Sequence, residues 1–251
     1  MRVVVLGATG VIGAVLVDRL RERGIDVVAA NRASGVDAYE GTGLAEAFAG
    51  ADVVVDSMNV TTTSAKKAID FFGTVARNVG DAATKAGVAH VVCLSIINAA
   101  DPAVNAKFGY YQGKAAQEDA YRATVAADRL TIVRSAQFFE LAEQLMGTLR
   151  IGPLSAVPHM RCRPLSVNDA AVALADVAVA APAGEVEVAG PDVLDLADVG
   201  KAVARRSGSP KWVVAINFGG APIRDGALVP EQPSVVASTT LDEWLDTEYA
   251  A

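Results

Sequence analysis

The sequence has 251 residues, of which 52% are hydrophobic and 20% are charged. This length and composition exclude a disordered chain and suit one α/β domain, or a core with a smaller lobe. The formal net charge of −7 repels phosphate backbones and anionic lipid, so nucleic acids and membrane surfaces are poor partners.

The first 135 residues alternate between short apolar runs and amphipathic stretches. We predict strands at residues 3–6, 27–30, 36–39 (a weak third strand), 51–55, 88–97 and 130–133. We predict helices at residues 11–23, 44–48, 65–86 and 109–124. Such strand–helix units favour an α/β fold with a doubly wound parallel sheet, in the order 3-2-1-4-5-6.

After residue 150 the pattern becomes less regular, because prolines and glycines break the chain into loops. Helices are predicted after the caps Ser166 and Asp195, and a strand is predicted at residues 185–188. The whole chain is predicted to be one unit with a small C-terminal α/β lobe for substrate. Its predicted parts are a core at about 1–150, a returning segment at 166–190, and a lobe at about 151–165 and 191–251.

Two cysteines, Cys93 and Cys162, lie far apart in the sequence, which predicts neither a disulfide framework nor a metal site. Both are expected to be buried and inert. The sequence runs directly from Met1 into an apolar strand, with no charged leader, and no apolar stretch reaches membrane-spanning length. We therefore expect a cytoplasmic protein without a membrane partner.

The turn between the first strand and the first helix is rich in glycine, with the sequence GATGVIG at residues 7–13. Glycine allows a close backbone approach to a pyrophosphate, which the N–H groups and positive dipole end of the next helix attract. The turn predicts a nucleotide-binding site of Rossmann type, and glycine packing alone is the alternative. The predicted contacts are Gly7, Thr9, Gly10, Val11, Ile12 and Gly13.

The end of the second strand indicates which cofactor is bound. A carboxylate at this position would bind the ribose of NAD, whereas this chain has Asn31 and Arg32. Arg32 could hold a 2′-phosphate, so NADP(H) is predicted, and an ordinary solvated arginine is the alternative. Ser57 and Met58 follow the fourth predicted strand and are expected near the adenosine or its ribose.

A candidate for proton transfer lies on the predicted helix at residues 109–124. Tyr110 and Lys114 are four residues apart and share one helix face. The lysine is expected to lower the pKa of the phenol, so that Tyr110 passes a proton to a carbonyl oxygen, and to hold the nicotinamide ribose. Ser95, near the carboxyl end of the fifth predicted strand, would supply a second hydrogen bond. The alternative is that Tyr110 and Lys114 are ordinary surface residues of a helix, with no catalytic role.

These motifs together resemble the short-chain dehydrogenase/reductases, and more narrowly their atypical, NmrA-like branch with an N-terminal NAD(P)-binding domain. The resemblance rests on the glycine turn, on Asn31-Arg32, on the strand ending near Ser95 and on Tyr110 to Lys114, and it extends to the stretch 131–138. It implies an NADP-dependent Rossmann fold. It also implies that Ser95, Tyr110 and Lys114 match the serine, tyrosine and lysine of the active members.

We predict an NADPH-dependent oxidoreductase that transfers hydride to a small carbonyl, enone or quinone, with Tyr110 as proton donor. Gln137 and Phe138, which follow the sixth predicted strand, are expected in the substrate pocket, although aromatic packing alone also explains the phenylalanine. Two alternatives stay open: a regulatory NADP-binding redox sensor that catalyses nothing, and an epimerase or isomerase with tightly held cofactor. The expected partner is a small-molecule substrate, and a homo-oligomer is an open alternative.

Overall fold

A computed structural model describes residues 1–250. Valine-rich runs buried on both faces form its main strands, as expected where helices cover both sides of a parallel sheet. In chain order the strands are β1 (Arg2–Leu6), β2 (Asp26–Ala30), β3 (Val53–Asp56), β4 (His90–Ile96), β5 (Leu130–Ser135), β6 (Arg150–Ile151), β7 (Leu154–Pro158), β8 (Arg161–Cys162), β9 (Gly184–Ala189), β10 (Leu194–Asp195), β11 (Trp212–Ile216) and β12 (Val235–Val236). The helices are α1 (Val11–Glu22), α2 (Leu44–Phe48), α3 (Ala65–Ala86), α4 (Pro102–Asn105), α5 (Gly109–Thr124), α6 (Phe139–Thr148), α7 (Val167–Val179), α8 (Leu196–Ser207), α9 (Ala221–Asp225) and α10 (Leu241–Glu248).

Seven strands form the central sheet, in the order β12-β9-β5-β4-β3-β1-β2, and all of their pairings are parallel. The predicted doubly wound sheet is confirmed, and the strand predicted at residues 185–188 extends it as β9. The third predicted strand, at residues 36–39, is wrong: Asp37 alone makes a bridge, to Thr42, within a turn. Gly35 and Gly43 both have positive φ, so the segment bends back on itself instead of running along β2.

Helices cover both faces of the central sheet. The side chains of β1 alternate between them: Val3 and Val5 lie in one apolar cluster with α1 and α7, and Val4 lies in another with α3 and α5. Helices α3 and α5 pack closely, because Gly113 has no side chain where a Cβ would lie 2.8 Å from Ala68. This close packing fixes the helix that carries the predicted tyrosine and lysine.

The chain after β5 alternates between the central layers and a separate group of elements. In that group, α6, α8 and α10 share a third apolar cluster with β7, and β7 pairs with β6 and β11. Helix α7 and strands β9 and β12 return to the central layers. The substrate-binding role predicted for the separate group stays a prediction. None of the helices in residues 1–250 combines the length and apolar character that a bilayer crossing requires.

Candidate cofactor and active site

The glycine turn between β1 and α1 leaves the start of the helix open. Gly7 has a φ of +75°, and the N–H of Gly10 donates to its carbonyl oxygen at 2.9 Å. Gly10 caps α1 without a side-chain hydrogen bond, Thr9 is exposed and Val11 is 72% exposed. Ile12 is buried in the core, so its backbone alone faces the turn. A helix start with free N–H groups and no acidic residue in its first turn attracts phosphate.

The last glycine of the turn has no room for a side chain. A Cβ at Gly13 would lie 2.1 Å from the carbonyl oxygen of Gly7 and 2.8 Å from Ser57 Oγ. Ser57 Oγ donates to the carbonyl oxygen of Leu6 at 2.7 Å, which joins the ends of β3 and β1 beneath the turn. The turn is therefore held against the strand ends with its outer side, at residues 9–11, exposed. This arrangement fits the pyrophosphate of a dinucleotide.

The ends of β2 and β3 provide the neighbouring surface. Asn31 caps a short 3-10 turn, because its Oδ1 accepts from the N–H of Ser34 at 3.1 Å and its N–H donates to Ser34 Oγ at 3.0 Å. Arg32 follows as an exposed side chain, and its contact with a 2′-phosphate stays a prediction. Met58, after β3, is half-buried against the apolar cluster that contains α3. The side chain of Asn31 is thus engaged locally, whereas that of Arg32 is exposed to solvent.

Tyr110 lies in the first turn of α5, beside the loop that follows β3. Its hydroxyl donates to Asn59 Oδ1 at 3.1 Å, and its ring packs edge-on against Phe72 with the centroids 5.6 Å apart. Burial raises the pKa of the Tyr110 phenol. The predicted lowering of this pKa by Lys114 is therefore wrong, because the loss of hydration outweighs any help from the lysine. Asn59 was not predicted as a site residue, although it lies in the same loop as Ser57.

Lys114 is buried and is engaged with the interior of the protein. Its Nζ donates to a main-chain carbonyl of β4 and to Gln117 Oε1, both at 2.9 Å, and lies 4.3 Å from the centroid of the Phe72 ring. Gln117 Nε2 donates to the buried Asp56 at 2.8 Å, so an amide links the ammonium to a carboxylate. Burial lowers the pKa of Lys114, and Asp56 partly opposes this. Within residues 1–250 no hydrogen bond joins Lys114 to Tyr110, and its role as ribose anchor stays a prediction.

Ser95 lies near the end of β4 and belongs to an internal ion-pair network. Its Oγ donates to Glu118 Oε1 at 2.6 Å, and Arg134 donates to the two oxygens of the same carboxylate at 3.1 and 2.7 Å. Burial opposes the ionisation of Glu118, but the hydrogen bonds from Arg134 and Ser95 outweigh it and lower the pKa of this carboxyl. The structure gives Ser95 no hydrogen bond to Tyr110 in the described residues, so its predicted role in orienting substrate stays a prediction.

Gln137 and Phe138 follow β5, and the side chain of Gln137 has a hydrogen-bond partner that was not predicted. Gln137 is buried, and its Nε2 donates to the hydroxyl of Tyr111 at 2.9 Å. Its Oε1 has no hydrogen-bond partner in the part of the chain that the structure describes. Phe138 is half-buried and bridges to Leu165 through its backbone. Tyr111 was not among the predicted site residues, yet its hydroxyl holds a candidate pocket residue.

A family model identifies the protein family that contains this turn and sheet. A model of an NAD(P)H-binding family matches residues 7–181, which is most of the chain. The protein belongs to this NAD(P)H-binding family. The matched range contains the glycine turn and the tyrosine–lysine pair, and it extends through α7. The prediction of a nicotinamide dinucleotide cofactor is therefore confirmed, whereas the preference for NADP over NAD stays a prediction.

Solved structures show that this NAD(P)H-binding protein has the fold of the short-chain dehydrogenase/reductases. A dTDP-4-dehydrorhamnose reductase from Clostridium acetobutylicum is 17% identical with a TM-score of 0.71, covering 99% of this chain and 92% of that chain. A short-chain dehydrogenase/reductase superfamily protein from Agrobacterium tumefaciens, solved with bound NAD, is 16% identical with a TM-score of 0.70, covering 98% and 95%. A UDP-N-acetylglucosamine 4-epimerase from Bacillus cereus is 16% identical with a TM-score of 0.66, covering 100% of both chains. No curated protein matches the sequence significantly.

Proposed function

We propose that the protein is an NADP(H)-dependent oxidoreductase that reduces a carbonyl, enone or quinone, with Tyr110 as proton donor. The position of Tyr110 carries this proposal. Its hydroxyl lies against Asn59, in the loop after β3, at the carboxyl edge of the sheet where the glycine turn also lies. Ligands of doubly wound sheets bind along this edge. The raised pKa of Tyr110 keeps the phenol protonated at neutral pH, which is the state that a proton donor requires.

In the proposed site, the cofactor supplies hydride, and the residues of the chain bind the cofactor and donate the proton. When bound, the reduced nicotinamide supplies hydride to the substrate carbon. The open start of α1 and the closely packed glycine turn hold the pyrophosphate. The Tyr110 hydroxyl exchanges Asn59 for the substrate oxygen and donates its proton as negative charge develops there. Lys114 and Ser95 would support this step only by exchanging the internal acceptors that they now contact.

An epimerase is the second candidate function, because the similar structures include a UDP-N-acetylglucosamine 4-epimerase. The substrate in that name carries a diphosphate. In this protein a cavity of about 700 Å³ near the end of β4 is lined by Asn98 and by the carboxylates of Asp101, Glu187 and Glu231. Carboxylates repel a diphosphate. A diphosphate would therefore be disfavoured in this cavity, but none of Ser95, Tyr110 and Lys114 lines it, so turnover decides between the two substrate classes.

The test is the consumption of NADPH by the purified protein with two sets of compounds. The first set contains carbonyls, enones and quinones, and the second contains dTDP- and UDP-sugars. We expect NADPH oxidation with members of the first set and none with the second. An epimerase would interconvert sugar isomers without net NADPH oxidation. A redox sensor would bind NADPH in calorimetry and leave its absorbance unchanged with every compound, and either result would refute the proposal.

Replacing Arg32 with alanine is expected to weaken the binding of NADPH and to leave the binding of NADH unchanged. Arg32 is exposed at the end of β2, where the 2′-phosphate of NADPH would lie. Losing a charge-assisted hydrogen bond costs about 1.5–3 kcal/mol, which corresponds to about a 10- to 150-fold rise in Kd. Calorimetric titration of both proteins with both cofactors measures this effect.

The matched control is Arg129→Ala. Arg129 is also exposed and also lies in a short 3-10 turn, but it precedes β5 at the amino edge of the sheet. Its replacement should change neither Kd. An unchanged preference for NADPH in Arg32→Ala would show that the specificity lies elsewhere.

A further inference from the structure

Five aromatic side chains at the candidate active site belong to a longer continuous series of ring contacts, which Phe71 and Tyr39 extend beyond Phe72. Neighbouring ring centroids lie 5.2 to 6.2 Å apart. We call these five side chains the aromatic row, and it runs in the order Phe218, Phe108, Tyr111, Tyr110, Phe72. The proposed proton donor is therefore one member of an extended aromatic surface rather than an isolated ring.

The aromatic row is open to solvent at one end. Phe218, which follows β11, is 55% exposed, whereas Tyr111 is buried. Phe108 is half-buried and meets Phe218 edge to face, with an angle of 89° between the rings. Aromatic rings attract further planar rings in offset or edge-on contact. The exposed end of the row is thus suited to bind a planar ring.

The backbone holds Phe218 in this exposed position. Gly219 and Gly220 both have positive φ, at +85° and +93°. A Cβ at Gly219 would lie 1.9 Å from Phe108 Cε2, so the loop backbone lies directly on the Phe108 ring. Glycine is the only residue that fits this contact. The exposure of Phe218 therefore follows from the loop geometry and from its contact with Phe108.

We infer that Phe218 and Phe108 form a stacking site for a substrate whose carbonyl group is conjugated to a planar aromatic ring system, as in a fused-ring quinone. This inference rests on the proposed function, because it places the ring of the substrate along the same row as Tyr110. The aromatic side chains bind the apolar body, and the Tyr110 hydroxyl meets the oxygen at its edge. Two electrons and one hydrogen come from NADPH, the second hydrogen comes from Tyr110, and solvent restores the tyrosine proton. Quinone, NADPH and one proton from solvent thus give hydroquinone and NADP⁺.

The experiment measures the binding of menadione, a two-ring quinone, to protein saturated with NADP⁺. Calorimetry compares wild type with Phe218→Ala and with the matched control Trp212→Ala. Trp212 is also exposed, at 52%, and lies on β11, but it is outside the aromatic row. Removing one aromatic contact should raise the Kd for menadione about threefold to tenfold in Phe218→Ala, with no change in Trp212→Ala. Both cysteines are buried, so addition of menadione to a thiol does not compete.

Turnover measurements distinguish a failure of the stacking site from a failure of the proposed function. In an active enzyme, Phe218→Ala should raise the KM for menadione by the same factor and leave the KM for butanedione, a small aliphatic carbonyl, unchanged. Menadione binding that depends on Phe218 without any reduction would support the stacking site and refute the proposed function. Reduction of carbonyls together with wild-type menadione binding in Phe218→Ala would refute the stacking site alone. An equal loss of binding in Trp212→Ala would also refute it, because adhesion to any exposed ring would then explain the binding.

Discussion

Tyr110→Phe should lower kcat for carbonyl reduction by about 10²–10⁴-fold, with the Kd for NADPH unchanged. The hydroxyl acts only where charge develops on the substrate oxygen, so its loss falls on the transition state. The ring remains and keeps its edge-on contact with Phe72, so the fold around α5 is preserved. Steady-state kinetics and calorimetric titration of the purified variant measure the two quantities separately.

The matched control is Tyr39→Phe. Tyr39 also has a hydroxyl that donates to a side-chain oxygen, Asp70 Oδ2 at 2.6 Å, and its ring stacks on Phe71. Its replacement should leave kcat unchanged. Tyr111→Phe would be a poorer control, because it leaves the buried Gln137 without its partner and should cost about 1–3 kcal/mol of unfolding free energy. Equal kcat values for Tyr110→Phe and Tyr39→Phe would exclude Tyr110 as the proton donor.

The pH dependence of the wild-type reduction rate is a second test of Tyr110 as the proton donor. A proton donor is active in its protonated form, so the rate falls as the pH rises through the pKa of the donor. Burial raises the pKa of Tyr110 above its ordinary value of about 10. The rate of reduction should therefore show no loss from this group between neutral pH and about pH 10. A decline centred near neutral pH that disappears in Tyr110→Phe would indicate a lowered pKa and contradict the structure.

Gly13→Ala should abolish tight NADPH binding and destabilise the fold. The added Cβ would lie 2.1 Å from the Gly7 carbonyl oxygen, so the turn must move away from the strand ends. Overpacking of this kind costs about 3 kcal/mol. Displacing two N–H groups from the pyrophosphate costs about 3–6 kcal/mol, which raises the Kd for NADPH more than about 100-fold. Urea unfolding and calorimetric titration measure the two effects.

Gly147→Ala is the matched control for this variant. Gly147 lies inside α6, and a Cβ there would meet no atom within 4 Å. The substitution should leave NADPH binding unchanged and stabilise the helix by up to about 1 kcal/mol. Wild-type stability and cofactor affinity in Gly13→Ala would show that the turn tolerates a side chain and is not the phosphate site.

Helix ends were predictable from the sequence because local chemistry determines them. Ser64 accepts from the N–H of Lys67 at the start of α3, and Gly87 ends the same helix in the left-handed conformation. The capping box of Thr240 and Glu243 marks the start of α10 in the same way. These contacts lie within four residues of each other, so the sequence alone contains both partners.

Side-chain partners within the site were not predictable in this way. Lys114 and Ser95 lie on the elements predicted for them, but their acceptors are chosen by the packing of α5 against β4 and β3. Asp56 directly follows three valines, and this buried carboxylate was the feature of the sequence that indicated a polar network beneath α5. Whether a buried amide such as Gln117 would connect it to the lysine depends on tertiary distances, which periodicity does not contain.

The central sheet is completed by residues that are synthesised late. Strand β9 ends at residue 189, and its outer neighbour β12 consists of Val235 and Val236. The ribosome adds the 45 residues between them, at 190–234, over several seconds, at about 5–20 residues per second. Until β12 is in place, the end of β9 that pairs with it, at residues 188–189, has unpaired N–H and C=O groups on its outer edge. Intermolecular strand pairing at this end of β9 is therefore the expected route of misassembly before β12 is in place.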